Sequence, residues 1–163
     1  MKLPKVKAGF VGFGEVNTPR DIIERKCMAA KKQMENREMD IIWTEPVSDD
    51  PESRDVKRAI ADLSKADFDV LILCLAGWIP SHAVIAVADH FRHKPILLWG
   101  LTGWREGNRF VTTADQAGTT AVRKTMQDMG FRFKYVVNYL GAVPDMDKIV
   151  SFARAAQASA RLR

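Results

Sequence analysis

Val70-Leu71-Ile72-Leu73-Cys74-Leu75-Ala76-Gly77-Trp78-Ile79-Pro80 is the stretch on which the fold turns. Its apolar run is too short for a free-standing helix and shows no polar alternation. It therefore predicts a strand buried on both faces, the usual state of a central strand in a parallel sheet. Gly77 and Pro80 end that strand and lead into an apolar helix to about Phe91. The same punctuation recurs on the N-terminal side. Lys5 to Phe13 is β-rich and closes on Gly12 and Gly14, after which Thr18-Pro19 supplies an N-cap and a first-turn proline. The helix that follows carries Ile23, Cys27, Ala30 and Met34 as one apolar stripe, with Lys26, Lys31, Lys32 and Glu35 largely off it. Met39 to Thr44 reads as the next strand. A turn through Pro46 and Asp49-Asp50-Pro51 then leads to a helix with Val56, Ala59, Ile60 and Leu63.

On the C-terminal side, Pro95 to Trp99 is a fourth strand, and a long Gly-rich loop runs from Gly100 to Thr113. Loops of that length are usually functional or mobile. A helix holding Ala121, Val122, Thr125 and Met129 stops at Gly130, Arg132 to Val137 is a fifth strand, and a last helix starts at about Asp145. Five strand-helix units with crossover-length connections require helices on both faces of the sheet and right-handed crossovers. The expected fold is an α/β three-layer sandwich whose five-stranded, mostly parallel sheet has the flavodoxin-like (Rossmann-like) order 2-1-3-4-5.

With 163 residues, 47% hydrophobic and 28% charged, the chain has the composition of one soluble globular domain spanning residues 1–163. Its apolar runs stop far short of the roughly 20 residues a bilayer span needs, and no apolar block near Met1 resembles a signal peptide. Cys27 and Cys74 both sit in apolar patterns, which predicts inert packing and a reducing, cytoplasmic setting. The net charge of +5 would suit an anionic ligand or nucleic acid only if concentrated on one face. Lys and Arg instead alternate with Asp and Glu along every helix, the pattern of a solvated mixed surface with neither a nucleic acid nor a membrane as partner.

In an open parallel sheet, ligands bind beyond the carboxyl ends of the strands where strand order reverses. Here that crevice lies between the loops Gly14 to Arg20 and Ala76 to Pro80, with Gly100 to Trp104 alongside. Trp78 and Trp104, in Gly-rich loops, offer aromatic faces for stacking a sugar or a base, or simply pack. Arg20, in the first turn of the first helix, has the wrong sign for the helix dipole; it serves a ligand or a partner subunit, or is merely solvated. Gln116 opens the fourth helix at the same end, either as a ligand contact or within the capping run Thr112 to Thr120. Gly12-Phe13-Gly14 is part of a dinucleotide fingerprint without its third glycine, and Glu45 stands where a ribose contact would. The ordinary reading is a tight strand-to-helix turn in which glycine admits a close neighbour. His90 and His93 have a spacing that permits a shared metal, yet they end a helix with no carboxylate or thiol cluster beside them. Asp49, Asp50 and Glu52 read as a polar turn. The sequence contains no evident nucleophile triad.

Three motifs together resemble a known family: Cys74-Leu75-Ala76-Gly77-Trp78-Ile79-Pro80, His90-Phe91-Arg92-His93-Lys94-Pro95-Ile96-Leu97-Leu98-Trp99-Gly100, and Ala114-Asp115-Gln116-Ala117-Gly118. They are similar to the N-terminal domain of the L-fucose isomerase and L-arabinose isomerase family, from about Val6 onward. The resemblance implies a longer aldose-ketose isomerase in which a divalent metal, usually manganese, polarises the sugar's oxygens while acidic groups move the proton. Its metal ligands belong to later domains, so this chain is expected to hold no metal and no catalytic residue and to be inactive alone. The N-terminal domain of such an oligomer covers a neighbouring subunit's active site. By motif match, Arg20 would hydrogen-bond the monosaccharide, Trp78 would stack on it and Gln116 would add a contact; the partners would be the chain's own C-terminal domains and neighbouring subunits. The last helix, with Ile149, Phe152, Ala153, Ala156 and Ala160 as its packed face, has no terminating Gly or Pro before Arg163. Over residues 145–163 it reads as a frayed end or as the lead into a next domain, and the resemblance favours the second. The loop from Leu101 to Arg109 matches nothing in the family. A flavodoxin-like module binding a small ligand or nucleotide without catalysis is the alternative, and a ligand-free regulatory or scaffold protein is a third.

Overall fold

The computed structural model describes residues 4–138 and 144–162. Every residue of Val70–Leu75 (β3) is fully buried, and their side chains divide between two cores. Leu71, Leu73 and Leu75 enter one core; Val70, Ile72 and Cys74 enter the other. That division is the period-two alternation of a strand with a helix layer on each face. Around β3 the chain builds β1 (Val6–Phe13), α1 (Arg20–Glu35), β2 (Met39–Trp43) and α2 (Arg54–Leu63) before it, and α3 (Ser81–His90) and β4 (Ile96–Leu101) after it. Next come β5 (Trp104–Glu106), β6 (Arg109–Val111), α4 (Asp115–Asp128), β7 (Phe133–Asn138) and α5 (Met146–Arg161). The five-stranded sheet is parallel throughout in the order β2-β1-β3-β4-β7, the flavodoxin-like order. One core packs α1 and α5 on the sheet, and the other packs α2, α3 and α4. Among the described residues, no helix is long and apolar enough to cross a membrane.

The stripe of α1 is as expected: Ile23, Cys27, Ala30 and Met34 are all buried. Four expectations are corrected. Thr18 does not cap α1, because Pro19 takes the cap position and the Thr18 hydroxyl is buried without a hydrogen bond among the described residues. In α4 the buried face is Gly118, Thr119, Val122 and Met126, while Ala121 and Met129 are exposed. The close approach of Gly100 and Trp78 demands small residues on that face, since a Cβ on Gly100 would lie 2.9 Å from Thr119 Cγ2 and one on Gly118 would lie 3.0 Å from Trp78 Cδ1. Ala160 lies exposed on the last turn of α5, where Ile149, Ala153 and Ala156 form the packed face and Phe152 is half-buried. The segment from Gly100 to Thr113 is not one long loop. Gly100 and Leu101 finish β4, and β5 and β6 form an antiparallel hairpin turning at Gly107-Asn108. Gly107 has φ +56°, the positive angle that a two-residue hairpin turn with Gly first requires.

Candidate functional site

The carboxyl end of the sheet is assembled around the β1–α1 loop. Gly12 and Gly14 let α1 sit directly on this turn: a Cβ at Gly12 would meet Cys27 Sγ at 2.2 Å, and one at Gly14 would meet Ile23 Cδ1 at 2.5 Å. The glycines thus accommodate helix side chains, and the tight-turn reading of Gly12-Phe13-Gly14 is the structural one. The amides beyond the turn are committed to the protein. Gly14 N–H donates to Val47 O at 3.1 Å, Glu15 N–H to Trp78 O at 2.8 Å, and Val16 N–H to Asp49 Oδ1 at 2.8 Å. Asp50 holds the start of α2 by accepting from the amides of Glu52, Arg54 and Asp55. The Arg54 and Asp55 amides keep its carboxyl below the usual aspartate value of 3.8. The acidic turn is therefore a helix-capping device that also ties the β2–α2 loop to the β1–α1 loop.

Arg20 stands at the start of α1 and is partly exposed. Its Nε donates to Glu24 Oε1 at 3.0 Å, and a terminal nitrogen lies 3.9 Å from Asp55. It lines a cleft of about 220 Å³ with Gly14, Glu15, Thr18 and Ser48. Trp78 is held on both sides of its backbone: its N–H donates to Thr113 Oγ1 at 3.0 Å and its carbonyl accepts from Glu15. Its ring lies against Gly118 and is half-buried. Gln116 is exposed in the first turn of α4, with Oε1 lying 3.2 Å from Thr112 Oγ1. All three candidates lie at the carboxyl end of the sheet, but the Arg20 cleft contains neither Trp78 nor Gln116. Trp104 sits on the hairpin, its indole N–H donating to Glu106 at 2.9 Å and its ring 5.9 Å from Lys26 Nζ.

Sequence reasoning missed the densest polar constellation. Lys26 and Asp115, 89 residues apart, form an ion pair of 3.4 Å with side chains 11% and 1% exposed. Lys26 Nζ also donates to Leu101 O at 2.7 Å. Asp115 accepts from Gly103 N–H and from Thr112 Oγ1, each at 2.7 Å. Burial pushes the Lys26 ammonium below the ordinary lysine value of 10.5, and the Asp115 charge opposes that shift. Lys26, but not Asp115, lines a second cleft, of about 200 Å³, between α1 and the carboxyl ends of β4 and β7. Trp99 forms part of its wall and donates its indole N–H to Asn138 Oδ1. Gln33 and Thr102 also line it, and Gln33 Oε1 and Thr102 Oγ1 are buried with no hydrogen-bond partner among the described residues.

Among the described residues, no group of three or more His, Cys, Asp and Glu side chains is placed to hold a metal. His90 and His93 are exposed, and His90 rests edge-on against Phe91 at 4.8 Å. Cys27 and Cys74 are both buried free thiols, and burial pushes the Cys74 thiol up, away from the reactive thiolate. No family model matches this chain, and no curated protein sequence matches it.

Proposed function

We propose that this chain is the substrate-covering and assembly domain of a cytoplasmic, metal-dependent aldose-ketose isomerase of the L-fucose and L-arabinose type, inactive by itself. The observation that carries the reading is Trp78. Its backbone is fixed to the neighbouring Glu15 and Thr113, and its half-buried ring rests on Gly118 at the carboxyl end of a flavodoxin-like sheet. A ring held that way is a preorganised platform for the apolar face of a sugar. Arg20 keeps terminal guanidinium nitrogens beyond hydrogen-bond distance of Asp55, so they can serve sugar hydroxyls, and Gln116 extends the same rim. These groups bind and exclude water; the proton transfer and the manganese belong to domains of the neighbouring subunit.

The alternative, a flavin or nucleotide module in the same crevice, meets a specific obstacle. Its phosphates would need the amides of Gly14, Glu15 and Val16, all of which are spent inside the protein, one of them on the Asp49 carboxylate.

The test has two parts. The purified chain with manganese and L-fucose or L-arabinose is expected to form no ketose, and clear ketose formation overturns the reading. The reading frame of the native gene is expected to continue past Arg163 into a Glu, Asp and His metal set. A stop codon there would move the small-ligand module to first place. In the longer product, Trp78→Ala is expected to lower kcat/KM about tenfold, the loss of about 1.4 kcal/mol of stacking.

A further inference from the structure

We propose that the groove at the amino ends of β4 and β7 binds a small phosphomonoester that carries a flat apolar group. This groove lies at the opposite end of the sheet from Arg20 and Trp78 and does not depend on the isomerase reading. The parallel register pairs Ile96 with Phe133, which brings the α3–β4 connection, with Arg92, His93 and Lys94, beside the α4–β7 connection, with Arg132. Phe152 and Ala156 of α5 also line the groove, whose volume is about 770 Å³. The side chains of Arg92, His93 and Arg132 are exposed, so a molecule in the groove can reach them.

The groups that remain uncommitted select the ligand. Asp69, the acid that lines the groove, accepts from Lys7 N–H at 2.9 Å and from Gln157 Nε2 at 3.1 Å, and Asp67 and Asp89 are paired with Lys94 and Arg92. His93 and Arg132 have no side-chain partner among the described residues. The free groups are a guanidinium and a ring N–H, which call for an acceptor. Net charge points the same way. Residues 121–163 carry eight Lys and Arg against three Asp and Glu, so the whole net charge of +5 resides in the part of the chain that supplies Arg132 and the α5 wall. A guanidinium fork matches phosphate oxygens. The Arg92–Asp89 pair is exposed on both sides, 43% and 58%, and such a pair is weak enough in water for a dianion to replace. Phe133 and Phe152, both half-buried, offer ring surface to a flat apolar group. The volume falls within the roughly 300–1,000 Å³ of small-molecule sites, which suits a nucleoside monophosphate.

Adenosine monophosphate is the probe, titrated into the purified chain by calorimetry. One saturable site is expected, with adenosine and inorganic phosphate each binding at least about tenfold more weakly, because each keeps only part of the contacts. Arg132→Gln and His93→Gln remove exposed side chains without partners, so both should keep the parent's thermal midpoint. Arg132→Gln should weaken binding of the probe about tenfold, and His93→Gln should weaken it independently. Arg109→Gln, on the hairpin at the other end of the sheet, should leave it unchanged. The proposal is overturned if the probe does not saturate, or if adenosine or phosphate alone binds as tightly. It is equally overturned if both groove variants bind as the parent does, or if Arg109→Gln weakens binding as much, which would show unspecific attraction to positive charge. Tighter binding of a single-stranded oligonucleotide than of the probe would overturn it in favour of a nucleic-acid surface.

Discussion

Asp115 gathers three separate segments onto one carboxylate: Gly103 at the base of the hairpin, Thr112 after it and Lys26 on α1. Its side chain is 1% exposed, so its charge is tolerated only because each oxygen is bonded and a cation faces it. Asp115→Asn, which keeps the shape and removes the charge, is expected to destabilise the protein by about 3 kcal/mol in urea denaturation, because it strands the Lys26 ammonium. The double variant with Lys26→Met should lose less than the sum of the two single variants, and additive losses would show that the pair is not coupled. Gly12 poses a steric problem instead of an electrostatic one. In Gly12→Ala the new methyl would lie 2.2 Å from Cys27 Sγ, so a loss of about 1–3 kcal/mol is expected. Adding Cys27→Ala should recover part of that loss; if it recovers none, the contact is not the cause.

Among the elements, the β5–β6 hairpin differs from the rest. It forms its own two-stranded sheet, its residues from Arg105 to Phe110 are exposed, and Arg105 covers Phe110 at 4.2 Å. Two strands alone are marginally stable in water, whereas β3 is buried on both faces and paired on both edges. Amide exchange in β5 and β6 is therefore expected to proceed by local opening, orders of magnitude faster than in β3, which opens only with global unfolding. Equal protection would mean that the hairpin is part of the main cooperative unit. The sequence did not reveal this element because each strand has three residues, too few for alternation to register, and its pairing is decided by the turn at Gly107. The α4 stripe was misread for a related reason. Its packed positions, Gly118 and Thr119, are small where Trp78 and Gly100 press in, so the most hydrophobic phase is not the buried one.

At the scale of the whole molecule, the surface is a mesh of short-range ion pairs: Arg20 with Glu24, Arg25 with Asp21, Lys31 with Glu35 and Lys124 with Asp128. Several carboxylates are held below the usual value of 3.8: Asp50 by backbone amides, Asp62 by Lys65 and Thr44, Asp67 by Lys94, and Asp145 by Lys148. A carboxylate depressed in the fold contributes stability that is present above the unfolded value and lost as pH falls through the folded one. The thermal midpoint should accordingly drop as pH falls below about 4, and Asp50→Asn should start lower at neutral pH and fall less steeply. Parallel curves for the two proteins would contradict the assignment of Asp50 as a cap of α2.

The architecture was legible in the residues because it depends on local periodicity. The unbroken apolar run Val70–Leu75, the α1 stripe from Ile23 to Met34 and the Gly and Pro breaks each report on one element. Five such units leave few ways to order a parallel sheet. Arg20, Trp78 and Gln116 were placed at the correct end of the sheet for the same reason, since strand direction fixes which loops share an edge. What only the tertiary structure decided is which polar atoms become buried together. Lys26 looked like one of several solvated lysines until α4 brought Asp115 against it. The sequence likewise does not show that Gln33 Oε1 and Thr102 Oγ1 are buried with no hydrogen-bond partner among the described residues. Burial of a polar group is a property of surfaces that meet from distant parts of the chain, and no local spacing records it.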